Sequence, residues 1–194
     1  MPNWCENKLK IKGTTENIIK FLKQVGDEEQ IFTFEKIIPE PETEKDCPAE
    51  FLIKDAEDAQ KHFLAYEEND DRRWFNWHDW HCQKWGCKWD CSVSNSNFSS
   101  IKEIKDKQLT EINIWYDTPW GPARGIMEHL IKKEKDYGLK FHFMWFEPNM
   151  AFCGELSDDI YYDDEYNCYY DEEEDDEGMD EATQDFTNRF YEEG

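Results

Sequence analysis

The chain has 194 residues, which is long enough for one domain with a sizeable core and an appendage. Its formal net charge is −24, and from residue 157 onward 17 acidic residues stand against a single Arg. Such a surface repels duplex nucleic acid, which is bound by Lys and Arg, and attracts basic proteins. The sequence shows neither an apolar run of 18 residues nor a signal peptide pattern, so we expect a protein of the cytosol, with its seven Cys as thiols.

A strand followed by a helix is predicted at the start. Residues 3–12 alternate in polarity, as a half-buried strand does. One face carries Cys5, Asn7, Leu9 and Ile11, and the other carries Trp4, Glu6, Lys8, Lys10 and Lys12. Thr14 and Thr15 supply a helix N-cap hydroxyl, and the apolar spacing that follows predicts a helix closed by Gly26.

Residues 27–83 are predicted to form one long insertion between this helix and the next strand. Residues 31–41 resemble an extended segment stopped by two prolines. Helical spacing over residues 55–70 is carried by Ala56, Ala59, Phe63 and Tyr66. The many Trp and Phe residues indicate that the insertion packs on the domain.

The stretch 72–93 holds five of the nine Trp, two of the five His and three of the seven Cys. A short helix is predicted around residues 74–81, and a strand from residue 83, with Trp85, Cys87, Trp89 and Cys91 directed inward. The same stretch offers a candidate zinc site made of His78, His81, Cys82, Cys87 and Cys91. Their spacing matches no zinc motif, and buried structural thiols are the favoured interpretation, so no cofactor is predicted.

Three further strands and a helix are predicted in the second half. Residues 95–100 look turn-like, and the strand that follows alternates through Ile112, Ile114 and Tyr116. An amphipathic helix is predicted from Pro119 to Tyr137, with Asp117 and Thr118 at its N-cap. A strand with Phe141, Phe143 and Trp145 on one face follows, and residues 151–156 then return as an antiparallel edge strand.

This order of elements predicts an α+β fold, a ferredoxin-like antiparallel sheet with two helices on one face and a long helical insertion. The predicted domain covers residues 1–156. Residues 157–194 would form an acidic C-terminal extension, in which Phe186, Phe190 and Tyr191 have helical spacing and suggest that part of it docks on something.

Four segments are similar to the YubB-like proteins of phages and plasmids. They are the opening M-P-N-W-C-E-N-K-L-K-I-K-G, W-G-C-K-W-D at 85–90, T-P-W-G-P at 118–122 and E-P-N-M-A-F-C-G at 147–154. The resemblance covers residues 1–156, and implies a ferredoxin-like domain and a mobile-element origin but no activity. The family's usual W-G-T-K-W has Thr where this chain has Cys87, which speaks against an inherited zinc site.

An enzyme would need a nucleophile or an acid–base pair in a pocket. The candidates are His78 with Asp79, His129 with Glu128, His142 and the acidic cluster, and none has the spacing of a known catalytic motif. We therefore favour a function without catalysis; a zinc-dependent enzyme stays an alternative.

A second alternative is a nucleotide or single-strand nucleic-acid site on an open face of the sheet. Aromatic and basic side chains would form it. The strip consists of Trp4, Trp115, Lys8, Lys10 and Lys12. The net charge opposes a long polymer more than a small nucleotide.

The favoured hypothesis is an acidic binding protein whose contact surface is residues 161–177, where Tyr residues are interleaved with carboxylates. It would act as an inhibitor or nucleic-acid-mimicking decoy on a basic host protein, such as a nucleic-acid enzyme or a defence factor. The predicted binding residues are Tyr161, Tyr162, Asp163, Asp164, Glu165, Tyr169, Tyr170 and Asp171. The alternative for residues 171–177 is a solubilising tail.

Overall fold

The structure is a computed structural model that describes residues 3–26, 30–62, 64, 71–147, 152–159, 166–167 and 181–191. Its strands are β1 Trp4–Gly13, β2 Ser92–Ser96, β3 Glu111–Pro119, β4 Leu139–Glu147, β5 Phe152–Ser157 and β6 Tyr166–Asn167. Its helices are α1 Thr15–Val25, α2 Phe34–Ile37, α3 Ala56–Lys61, α4 Trp77–Lys84, α5 Ile101–Lys107, α6 Arg124–Lys132, α7 Glu134–Tyr137 and α8 Glu181–Tyr191. A 3₁₀ turn covers Ala49–Phe51.

Within the described residues one sheet forms, with the strand order β2-β3-β1-β4-β5-β6 and antiparallel pairing throughout. Strands β1 to β4, with α1 and α6 as the crossovers, give the β-α-β-β-α-β unit and its order 4-1-3-2. The chain therefore has the predicted ferredoxin-like α+β fold. Strand β5 extends the sheet beyond β4, at the place where the edge strand was predicted.

The inner face of the sheet carries the main core. It meets α1 through Ile18, Phe21 and Leu22, and α6 through Met127 and Leu130. All five side chains are at most 2% exposed. The apolar periods of both helices thus predicted their buried sides correctly.

The predicted helix from Pro119 to Tyr137 begins later than expected. Strand β3 continues to Pro119, so Asp117 and Thr118 are strand residues and cap no helix. The helical part is divided into α6 and α7, and Gly138 ends it with φ of +63°. The seven-residue helix α5, which packs on α1, was not predicted.

The insertion packs on the domain as expected, with Phe32, Phe34 and Phe51 fully buried. The extended conformation predicted over residues 31–41 is wrong, because α2 forms there. Its first backbone amides, on Phe34 and Glu35, donate to the carboxylate of Asp90 at 2.7 and 3.1 Å. In the other predicted helix of the insertion, α3 ends at Lys61, and Phe63 and Tyr66 lie outside the described residues.

The strand predicted from residue 83 is also wrong in extent. Helix α4 runs to Lys84, a loop follows, and β2 begins only at Ser92. Gly86 allows the reversal, since its φ is +87° and a Cβ would come within 2.8 Å of the Arg124 amide nitrogen. Cys87 and Cys91 are buried as predicted, whereas Trp89 is exposed.

Helix α8 lies on the outer face of the sheet. Phe186 and Phe190 form a second apolar cluster with Met144, Phe146 and Cys153. The docking predicted from the spacing of Phe186 and Phe190 is therefore made to this chain's own sheet. Among the described helices, α8 included, none is long and apolar enough to cross a membrane.

Candidate binding surface

Three tryptophans form a continuous exposed surface at one end of the sheet. Trp4, Trp89 and Trp120 are 46%, 38% and 50% exposed. The ring centroids of Trp4 and Trp89 are 6.5 Å apart, and those of Trp89 and Trp120 are 5.6 Å apart. We call these three residues and Lys88 the tryptophan ledge. Exposed aromatic side chains that touch one another are typical of interaction sites.

The ends of three chain segments bring the ledge together. Trp4 opens β1 and is paired with Pro119, the last residue of β3, so that Trp120 follows immediately beside it. Trp89 lies in the loop before β2, which pairs with the same end of β3. The ledge thus unites residues from three of the four segments that resemble the YubB-like proteins.

The turn that presents Trp120 is held in a conformation that costs free energy. Its φ of +64° is in the left-handed region, which costs a non-glycine residue roughly 1–2 kcal/mol. The Trp120 amide donates to Asn3 at 2.8 Å, and the Thr118 hydroxyl donates to the Gly121 carbonyl at 2.7 Å. The buried Asn7 amide in turn donates to Thr118 Oγ1 at 2.8 Å. A strained conformation fixed by buried hydrogen bonds is a feature of functional sites.

The loop that presents Lys88 and Trp89 is fixed by a buried histidine. His81 stacks on Trp85 with centroids 3.8 Å apart, and its Nδ1 donates to the Lys88 carbonyl at 2.7 Å. Its Nε2 faces the carboxylate of Glu40 at 2.5 Å, which also binds Arg72. Burial acts to raise the pKa of Glu40, but these hydrogen bonds outweigh it and hold that pKa below its usual value.

The ledge has ends of opposite charge. The Lys88 ammonium lies 4.9 Å from the ring centre of Trp89 and 5.9 Å from that of Trp120, within cation–π range. At the Trp4 end, Glu6 and Asp117 face each other across β1 and β3. Burial, with the charge of Glu6 added, raises the pKa of Asp117.

The prediction that the basic and aromatic strip lies on an open sheet face is wrong, because α8 covers part of that face. Lys8 is 2% exposed, and its ammonium donates to the Arg189 carbonyl at 3.1 Å. Trp115 packs against the cluster beneath α8. Lys10 and Lys12 form ion pairs with Glu111, at 3.5 and 2.7 Å. From this strip, Trp4 alone belongs to the ledge.

The candidate zinc ligands serve other contacts. Cys87 Sγ donates to the Trp89 carbonyl at 3.2 Å and Cys91 Sγ to the Phe32 carbonyl at 3.4 Å. Burial raises the pKa of Cys87 to about 12 and that of Cys91 well above its usual value, so both are thiols at neutral pH. Cys82 is exposed, and His78 contacts Asp79 at 3.2 Å. Among the described residues, no three of His, Cys, Asp and Glu are placed to hold a metal ion.

The candidate acid–base pairs are structural contacts at separate places. Asp79 accepts from His62 Nδ1 at 2.9 Å as well as contacting His78. Glu128 pairs with Lys132 at 3.1 Å, while burial and two lysines lower the pKa of His129. His142 contacts Glu155 at 2.9 Å, and Glu155 also accepts from Arg189 of α8.

The predicted binding residues Tyr161, Tyr162, Asp163, Asp164, Glu165, Tyr169, Tyr170 and Asp171 lie outside the described residues. The ledge itself was missed, because strand periodicity directed Trp89 into the core. The signal that could have found it is the position of Trp120 between Pro119 and Gly121, where a chain reversal leaves a large side chain exposed.

Fold and surface together define a ferredoxin-like domain that carries an exposed aromatic surface at one end of its sheet. A family model described as the ferredoxin-like domain in Api92-like protein matches residues 88–192, more than half of the chain. The chain belongs to that family. No curated protein and no solved structure matches it.

Proposed function

We propose that this chain is a non-enzymatic binding protein of a phage or plasmid, as its resemblance to the YubB-like proteins implies. It acts in the host cytosol on a basic protein of the defence or nucleic-acid machinery, as an inhibitor or a decoy. The tryptophan ledge on a chain of net charge −24 is the observation that supports this most.

The ledge supplies the apolar anchor of this interaction. Tryptophan is enriched among the few interface residues that carry most of the binding free energy, and loss of one commonly costs 2 kcal/mol or more, an order-of-magnitude value. Because the turn around Trp120 is fixed before binding, little conformational entropy is lost there when the partner docks.

The acidic surface supplies attraction at longer range. A negative protein raises the association rate of a basic partner and disfavours nucleic acid as a competitor. Residues 161–171 are proposed as a second, acidic contact. Its charges are Asp163, Asp164, Glu165 and Asp171, and its further anchors are Tyr161, Tyr162, Tyr169 and Tyr170.

The test is capture of partners from host cytosol by the full chain at low and high salt. Trp120→Ala should abolish the complex, and neutralising the four named carboxylates should weaken it and flatten its salt dependence. Ile19→Ala removes a half-buried apolar side chain from α1 and is the matched control. A complex that survives Trp120→Ala unchanged contradicts the role of the ledge.

A second candidate, stacking of single-stranded bases or a nucleotide, is favoured by Lys88. Its ammonium contacts the indoles and could meet a phosphate, while each base stacked on an aromatic ring contributes roughly 1–3 kcal/mol. Titration with oligothymidine at low salt separates the two functions. Saturable quenching of tryptophan fluorescence that Trp120→Ala removes would support this candidate over the protein partner.

A further inference from the structure

We infer that the Trp4 end of the ledge receives an arginine side chain, with the guanidinium stacked on the indole and bonded to the carboxylates of Glu6 and Asp117. The ligand class is therefore an arginine-containing segment of a protein. This inference rests on the proposed function, because it names what the basic partner presents to the ledge.

The sheet register places these three side chains on one face. Trp4 and Glu6 are two residues apart on β1, so they point to the same side. Glu6 is directly opposite Asp117 of β3, and directly paired residues of antiparallel strands share a face. An exposed indole and two carboxylates thus line one corner of the sheet.

Among the described residues, no cation forms an ion pair with either of the two carboxylates. Within the described part of the chain, neither Glu6 nor Asp117 forms a salt bridge; Glu6 accepts a hydrogen bond from the Tyr191 hydroxyl at 2.8 Å. Like charges directly opposite each other on a sheet are destabilising. A cation bound between them removes this repulsion, so the free protein is arranged for a positive ligand.

Lys88 shows that these indoles accept a cation. Its ammonium is within cation–π range of Trp89 and Trp120 on the ledge, and also of Trp77 outside it. The ledge therefore has a cation at one end and two anions at the other. A partner cation is directed to the Trp4 end, and the phosphates of a nucleic acid are repelled from it.

Arginine fits this corner better than lysine does. Its planar guanidinium stacks on an aromatic face and donates pairs of hydrogen bonds to carboxylates at the same time. An ammonium can make the cation–π contact, but it is a compact point charge that loses more hydration. A neutral planar group can stack, but it gains nothing from Glu6 and Asp117.

The test uses the full-length protein and three short peptides that alternate glycine with arginine, lysine or citrulline. Calorimetry gives the affinities, and the indole N–H resonances show which tryptophan each peptide contacts. We expect the arginine peptide to shift Trp4 and to bind roughly fivefold tighter than the lysine peptide. The citrulline peptide should not bind.

Two double variants carry the same change in net charge. Glu6→Gln with Asp117→Asn should weaken the arginine peptide about tenfold, the scale of one charge-assisted contact. Glu44→Gln with Asp106→Asn, at exposed positions elsewhere, should change its affinity less than about twofold. Thermal unfolding checks that both variants fold, and Trp4→Leu in the native charge background tests the same corner independently.

Equal affinity for arginine and lysine, equal loss in the two double variants, or no effect of Trp4→Leu would overturn the inference, since each indicates diffuse attraction to an acidic protein. The inference would also be overturned if oligothymidine shifted the indole N–H resonance of Trp4 more than the arginine peptide does. If any of these contradicting results is found while capture of the partner still requires Trp120, the arginine inference fails and the proposed function stands. If capture does not require Trp120, the proposed function fails whatever the peptides do.

Discussion

The buried and the exposed tryptophans of this protein differ in what surrounds them. Trp85 is 2% exposed, donates from its indole to the Ile38 carbonyl at 2.8 Å, and stacks on His81. Trp89, four residues later, is 38% exposed and touches the other ledge indoles. The same residue type thus lies in the core at one position and on the exposed ledge at the next. Residues that are costly to remove from the fold should be separable from those needed for binding.

The largest loss of stability is expected in the inner core. Leu130→Ala should lower the free energy of unfolding by about 2–5 kcal/mol, because a fully buried side chain facing the sheet is truncated. Lys132→Ala, at an exposed position of the same helix, is the control and should change it by less than roughly 0.5 kcal/mol. Denaturant unfolding measures both, and equal small losses would mean that α6 does not pack as described.

The docking of α8 should contribute less to the free energy of unfolding than the packing of the inner core does. Phe190→Ala removes a buried ring from the outer cluster and should cost roughly 3 kcal/mol at most, because the terminal helix can detach while the inner core stays folded. In the Phe190→Ala variant, the backbone amides of α8 should exchange faster than in wild type, while those of β1 should be unchanged. Asn188→Ala, exposed on the same helix, should leave exchange unchanged, and a cooperative loss of the whole sheet would contradict a separately docked helix.

The Glu40 network should make stability depend on pH. A carboxyl whose pKa is depressed in the folded state stabilises the protein above its unfolded pKa of about 4.3, and this contribution is lost as pH falls through the folded value. The free energy of unfolding should therefore fall as the pH drops below about 4.3. Glu40→Gln should make this fall with pH less steep. Glu44→Gln, at an exposed position, is the control, and an equal slope in wild type and Glu40→Gln would show that the network contributes nothing.

Among these buried residues, Cys87 should contribute least to the free energy of unfolding. Cys87→Thr should cost less than roughly 1.5 kcal/mol, because the hydroxyl can take over the hydrogen bond to the Trp89 carbonyl. Elemental analysis of the purified protein should find no stoichiometric zinc. Zinc lost together with stability in this variant would restore the metal hypothesis.

Local periodicity predicted the elements whose partners were evident. The strand containing Leu9 and the helix containing Leu130 follow from apolar spacing, because the apolar residues of each pack into the inner core. Helix α2 did not follow, although Thr33 caps it locally, because its four residues are too few to show an apolar period. Its first two amides donate to Asp90, far along the chain. Long-range capping leaves no signal in a local window.

The outer face was partly predictable. In β4, Met144 and Phe146 alternate with Phe143 and Trp145, so apolar side chains point to both faces, as in a strand covered on both sides. That signal, with the spacing of Phe186 and Phe190, could have placed α8 over the sheet. The exposure of Trp120 could have been predicted from its turn, but its contact with Trp4 and Trp89 could not, because it depends on three segment ends that meet only in the folded chain.

The most direct test combines two measurements on Trp120→Ala and Trp85→Ala, the unfolding free energy and the capture of host partners. The account predicts that Trp120→Ala changes the unfolding free energy by less than about 1 kcal/mol and abolishes capture, while Trp85→Ala costs roughly 3–5 kcal/mol. A loss of stability at Trp120 comparable to that at Trp85, or capture that persists without the Trp120 ring, would contradict it.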